Sequence, residues 1–387
     1  MPAKRPLIRR AAALAAAGGA MALSVRVLSR PRPASGRQLV DWEAVRATAR
    51  ARSGERSRLQ PEEGGRLASD YDAIAAEMVP LMAEVCGAEP ASLPPFRVLD
   101  REGFIDVNLA MVRRLLEPVE RLGSSLPETA LTALGRRLTS RYVGEVFGFM
   151  SQRVLGQYDP MLMIPALPSR DAGDGPRPVP GRTGSLFLVE PNVALFERGQ
   201  AAPAEPLRRW LILHEATHAW QFESHPWLAE HLGNLMAEML AAGIPDPSAR
   251  GGPRGISPEV LRRLRGGLAG QLRGIGRVQA IMSVLEGYSN VVMHRVGRSQ
   301  IEDFDALEAA FHRRQKQRTL LERLALGVTG IAVKLRQYEA GERFCEALIA
   351  AGGYPLLNRV WDGPQMMPTM AEIRSPGLWI SRVRQAG

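Results

Sequence analysis

Long apolar runs, cysteine and strand-like stretches are all scarce in these 387 residues. The uncharged run near the start, Ala11 to Val25, has 15 residues, short of the roughly 20 a helix needs to span a bilayer. No other segment reads as transmembrane. The two cysteines, Cys86 and Cys345, allow one disulfide or two buried thiols, so they leave the redox compartment open. Convincing strand runs are few: Met161–Ile164 (MLMI), and Leu186–Val189 (LFLV) between Gly184 and Pro191. Apolar residues at helical spacing dominate the rest, which predicts a mainly α fold with a small β-sheet. No Gly-rich phosphate loop follows a strand, and there is no internal repeat or extended low-complexity tract.

Charge is also missing where a nucleic-acid binder would need it. The formal net charge is +10, but residues 1 to 60 hold 13 of the 50 Lys and Arg against 3 of the 40 Asp and Glu. That leaves 37 of each sign in a neutral body. No nucleic acid is expected as a partner, since there is neither a basic stripe nor a recognised binding motif. Arginine greatly outnumbers lysine alongside abundant alanine, a bias of genome composition rather than an anion site.

The basic leader has its own pattern: Lys4, Arg5, Arg9 and Arg10, the apolar run, then Arg26. It resembles a signal sequence with Ala20-Met21-Ala22 as the cleavage site. An alanine-rich helix, a start at Met21, or a membrane anchor are the competing readings. Localisation therefore stays open between the cytoplasm and export or anchoring through residues 1–28. Residues 1–38 read as leader and Pro-rich linker, and 39–387 as one large domain or two packed lobes. Gly- and Pro-rich connections at Ser169 to Gly184 and Ile244 to Ile256 bracket the segment described next, as lids or as surface insertions.

What stands out is His214-Glu215-Ala216-Thr217-His218. Two imidazoles four apart on a helix, with a carboxylate beside the first, form a zinc-hydrolase half-site. With so few histidines, H-E-x-x-H would arise by chance in roughly one such sequence in two hundred, so its setting matters. Pro206 suits a first helical turn, and Pro226 disfavours helical geometry at His225, so a helix should run from near Pro206 to near Ser224. Leu207, Leu211, His214 and His218 share one stripe, so both rings can converge on one ion. The alternative is a pair of ordinary core or surface histidines.

A catalytic zinc takes three protein ligands and leaves a position for water. Gln221 and Ser224 stand where a metzincin would have Gly and His, so that third ligand is excluded. His225 and His231 have no clear geometric claim. Glu286 is the only formally charged residue from Val278 to Met293, a stretch that reads as a buried helix. A carboxylate there is costly unless a cation compensates it. Zinc would do so, and a salt bridge to an arginine is the alternative. Asn290 shares the face of Glu286 at i+4; Tyr288 reaches it only if Gly287 loosens the helix. Both are candidate second-layer or transition-state groups.

Several blocks, in order from about residue 40 to the end, carry a wider resemblance: Val40–Trp42, Arg113–Pro118, Gly148–Pro160 (GFMSQRVLGQYDP), His214–Trp227, Leu285–Tyr288, Leu335–Tyr338, and Asn358–Trp361 with Pro368-Thr369. The chain resembles the family of actinobacterial zincin-like, zinc-dependent metalloproteases labelled as associated with biosynthesis of a deazaflavin coenzyme. The resemblance implies a mostly helical zincin-like metallopeptidase fold. It also implies zinc on His214 and His218, Glu215 as the catalytic carboxylate and Glu286 as the third ligand. Because zincins commonly place an edge strand beside the metal, the strand at 186–189 is expected either there or as a plain structural strand.

Two functions follow. One is a zinc hydrolase acting on a peptide or protein substrate, with water activated for attack on an amide carbonyl. The other is a catalytically silent zincin-like protein that binds a partner in the same groove. The complete H-E-x-x-H favours the enzyme.

Overall fold

Helix signals dominate the sequence, and helices dominate the structure. The computed structural model describes residues 38–54, 59–87, 93–123, 129–160, 184–200, 204–243, 258–316 and 334–386. The leader, the expected strand Met161–Ile164 and the connections 169–183 and 244–256 lie outside the described residues. In chain order the main elements are α1 (Trp42–Arg52), α2 (Pro61–Met78), β1 (Phe96–Leu99), α3 (Arg101–Gly123), α4 (Ala130–Ser151), β2 (Gly156–Asp159) and β3 (Ser185–Val189). They continue with α5 (Glu190–Gln200), α6 (Ala204–Glu223), α7 (Pro226–Gly243), α8 (Pro258–Val292), α9 (Phe304–Lys316), α10 (Lys334–Asn358), α11 (Met370–Arg374) and α12 (Pro376–Ala386). This is the mainly α class with a small sheet. Among the described residues, no helix is long and apolar enough to cross a membrane.

The chain divides into two units, Met1–Arg56 with Arg101–Arg153, and Ser57–Asp100 with Val154–Gly387. In the first, the Asp41 side chain caps α1 by accepting from the Ala44 amide at 3.0 Å. A Thr129–Thr132 capping box starts α4. Trp42 donates its indole N–H to Glu120 at 2.8 Å, and Arg50 pairs with Asp106 at 2.8 Å, tying α1 to α3.

The second unit holds the sheet, in the order β1-β3-β2. β3 pairs parallel with β1, Phe96 against Leu186, and antiparallel with β2, Gly156 against Leu188. All five residues of β3 are buried, as expected of a strand covered on both faces, whose sequence is continuously apolar rather than alternating. Each fully buried side chain such as Phe187 or Leu188 contributes about 1.5–3 kcal/mol. Of the two expectations for this run, the plain structural strand is the one met: β3 has a hydrogen-bonded neighbour on either side. Among the described residues, β2 is the strand at the sheet's edge that lies against the H-E-x-x-H helix.

The core of this unit gathers apolar residues of α2, the sheet, α6, α7, α8, α10 and the C-terminal helices. α10 is two helical pieces joined at Gly352 and Gly353, with Pro355 in the next turn. Cys86 and Cys345 are both buried and unbridged.

Candidate metal centre

The local sequence explains where α6 starts and where it stops. Pro206 is in its first turn, and the chain leaves the helix at Ser224 and His225 before Pro226 opens α7. The helix is less amphipathic than its stripe of apolar residues implies. Leu211, Ile212, Leu213, Ala216, Thr217, Ala219, Trp220, Gln221 and Phe222 are all buried, so it is an interior helix covered on most sides.

His214 and His218 are brought to Glu286 of α8. The Nε2 atoms of His214 and His218 lie 4.0 Å and 3.7 Å from Glu286 Oε2, and one ligand atom from each of the three falls within 4.8 Å of the others. The imidazoles are edge to face, with ring centroids 4.7 Å apart. Glu286 is 8% exposed, between buried Leu285 and the buried segment that follows. Burial, reinforced by the neighbouring His218 and opposed by Glu286, pulls the His214 pKa down to about 4. At neutral pH that ring therefore offers a lone pair rather than a positive charge. Two imidazole nitrogens and one carboxylate oxygen converging at this spacing are a donor set that can hold a metal ion.

Both imidazoles are held on their far side. His214 Nδ1 is 3.0 Å from Ser289 Oγ, and His218 Nδ1 is 2.9 Å from Gln221 Oε1. Gln221 is fully buried and also donates to the Leu285 carbonyl at 2.9 Å. The His214 ring stacks on Trp210, centroids 5.3 Å apart, and Trp210 stacks in turn on Phe311 at 4.0 Å. Neither Ser289 nor Gln221 is singled out by sequence reasoning, in which Gln221 matters only for excluding a metzincin glycine. The available signal is spacing: each lies three residues beyond a member of the group, on the same helical face.

Glu215 is buried and packs against the start of β2. A β-carbon built on Gly156 would stand 2.9 Å from Glu215 Cγ, 3.0 Å from its Oε1 and 2.6 Å from Leu188 Cδ2. The glycine thus leaves the room the carboxylate occupies.

Two other candidates fare differently. Tyr288 does not turn toward the group, which corrects its expected role as second-layer or transition-state donor. Its hydroxyl donates to Asn358 Oδ1 at 2.7 Å, its ring stacks on Trp220 at 5.5 Å, and it is fully buried. Two residues on from Glu286 is about half a helical turn past it, and Gly287 leaves the helix regular. Asn290, one turn beyond Glu286, is half-buried. His225 stacks on Trp361 and meets the Gln221 carbonyl at 2.9 Å, apart from the three-residue group.

The description "Zincin-like metallopeptidase" matches residues 40–380. The chain belongs to this family. A solved structure from Chloroflexus aurantiacus, described as "a putative hydrolase with a novel fold", is 31% identical to this zincin-like chain, with a TM-score of 0.66. The match covers 90% of this chain and 100% of the other. No curated protein matches.

Proposed function

We propose that this zincin-like protein is a zinc-dependent hydrolase that cleaves peptide bonds in a peptide or protein substrate. The observation that carries the reading is the convergence of His214 Nε2, His218 Nε2 and Glu286 Oε2 with a buried glutamate, Glu215, one residue from the first ligand. Membership of the family and the likeness to a protein described as a hydrolase support it.

The donor set fits zinc: two imidazoles and a carboxylate, leaving a position for water. His214, His218 and Glu286 would hold the ion. Bound there, zinc would supply Lewis acidity, lowering the pKa of a water toward about 7 and polarising a carbonyl. The protein's own residues do the rest. Glu215 follows His214 by one residue and precedes His218 by three, so it stands beside the ligand face, where its carboxylate takes the proton of the attacking water and passes it to the leaving amine. Gly156 leaves room for that carboxylate by having no side chain. Ser289 and Gln221 fix the orientation of the two rings.

Proteome-wide cleavage profiling with purified zinc-loaded protein against its Glu215→Gln form is the test. Chelator-sensitive cleavage by the wild type alone supports the reading. No cleavage by either form favours a catalytically silent protein that binds a partner at this site.

A further inference from the structure

We propose that Gln221 is a positioning residue that sets which nitrogen of His218 carries the proton, and that ties this setting to the helix bearing Glu286. The consequence for metal binding rests on the proposed zinc site; the hydrogen-bond logic does not.

The Leu285 backbone carbonyl accepts hydrogen bonds and cannot donate one, so the Gln221 group facing it at 2.9 Å must be the NH2 end of the amide. The amide oxygen then necessarily faces His218 Nδ1, 2.9 Å away. An amide oxygen accepts only, so Nδ1 must be the protonated nitrogen. The neutral His218 ring therefore carries its lone pair on Nε2, the atom 3.7 Å from Glu286 Oε2. A chain of single-role groups, carbonyl, amide and imidazole, admits one arrangement of protons.

The second imidazole has no such constraint. Ser289 Oγ, 3.0 Å from His214 Nδ1, is a hydroxyl that can donate or accept by rotating. His218 is thus the ring whose state is imposed and His214 the one that can adapt. Gln221 is also fully buried, so water cannot replace its bonds when they are removed. Because Leu285 immediately precedes Glu286, the same amide links the α6 and α8 sides of the group, and a shift of either helix is felt at His218.

The test reads the tautomer directly. In metal-free protein at pH 8, with histidine labelled by nitrogen-15, the ring shifts of His218 are expected to report the Nδ1-protonated form in the wild type. Gln221→Met, similar in volume but without the amide, should give a mixture of tautomers. In chelator competition it should also bind zinc roughly 10–100-fold more weakly, the range typical of lost outer-shell partners. Gln221→Glu, ionised at pH 8, keeps an acceptor toward His218 and gives up only the donor toward Leu285; it should retain the wild-type tautomer and most of the affinity. An Nε2-protonated His218 in the wild type overturns the proposal, as does Gln221→Met with unchanged tautomer and affinity. So does equal zinc loss in both variants in step with a fall in metal-free melting temperature, because that marks a packing role alone. Wild-type protein with the Nδ1 tautomer but no affinity for zinc would instead overturn the metal reading and leave the assignment of Gln221 standing.

Discussion

Gly341 lies so close to Ser283 that a β-carbon built on it would stand 1.9 Å from the Ser283 carbonyl oxygen. Across the same crossing, a β-carbon on Gly287 would stand 2.3 Å from the Gly341 carbonyl carbon. α8 and α10 thus meet backbone to backbone beside Glu286, at residues that must lack side chains. Gly341→Ala should force the helices apart, at a cost of about 3 kcal/mol, the upper end of the usual overpacking penalty, because rigid backbone rather than a flexible side chain is struck. Gly276→Ala, in α8 but with nothing within 4 Å, should be neutral or slightly stabilising. Denaturant unfolding of the metal-free variants measures both. Equal stability of the two would show that the crossing is not tight.

The sequence makes α6 and its three chemical residues visible because helix boundaries and i, i+4 spacing are local properties. Pro206 and Pro226 mark the helix by backbone geometry alone, and the cost of a carboxylate in the otherwise uncharged stretch Val278 to Met293 singles out Glu286 from far along the chain. The misses are tertiary. That β3 has partners on both edges depends on β1 (Phe96–Leu99) and β2 (Gly156–Asp159) coming to either side of it, which no local pattern encodes. Tyr288 reads as a candidate because it is two residues from Glu286, yet the partner that claims its hydroxyl, Asn358, comes from α10. Ser289 and Gln221 are ordinary polar residues until the two helices bring an imidazole to each.

His214 should make the metal-free protein sensitive to mild acid. Burial, then His218, hold its pKa at about 4 in the folded state against Glu286, while the unfolded chain takes up the proton near 6.5. Above about pH 6.5 neither state is protonated, and the group has no effect on stability. Between about 6.5 and 4 the unfolded state binds the proton and the folded state does not, so stability falls as pH falls, by at most about 1.4 kcal/mol per pH unit from this residue. Denaturant titrations of wild type and His214→Gln from pH 7.5 to 4.5 should show the shallower slope in the variant. Parallel slopes would mean that His214 titrates normally.

Glu286 gives a prediction about metal content. The wild type should retain about one zinc per chain after dialysis against a mild chelator, as a three-ligand site requires. Glu286→Gln keeps the shape and removes the charge, and should lose most of that zinc. Elemental analysis of both decides it, and full occupancy in the variant would remove Glu286 from the ligand set.

The sharpest expectation concerns Glu215, because its role as base separates from its surroundings. Glu215→Gln preserves volume and packing against Gly156 but cannot accept a proton from water. It should keep zinc and fold while losing on the order of a hundredfold or more in peptide hydrolysis, in line with the roughly 10² to 10⁴ contributed by general acid-base groups. Gly156→Ala attacks the same step from the other side. Its new methyl would meet Glu215 Cγ at 2.9 Å and Leu188 Cδ2 at 2.6 Å, so the carboxylate must shift while the three ligands are left in place. That variant should also retain zinc and lose rate, with the loss in kcat rather than KM, since the displaced group acts on the reacting water rather than on substrate binding. Both comparisons need a substrate that the wild type cleaves in a chelator-sensitive way. Wild-type rates in Glu215→Gln on such a substrate would refute the assignment of the base. A normal Gly156→Ala together with an inactive Glu215→Gln would instead show that the carboxylate works from a position that tolerates a neighbour.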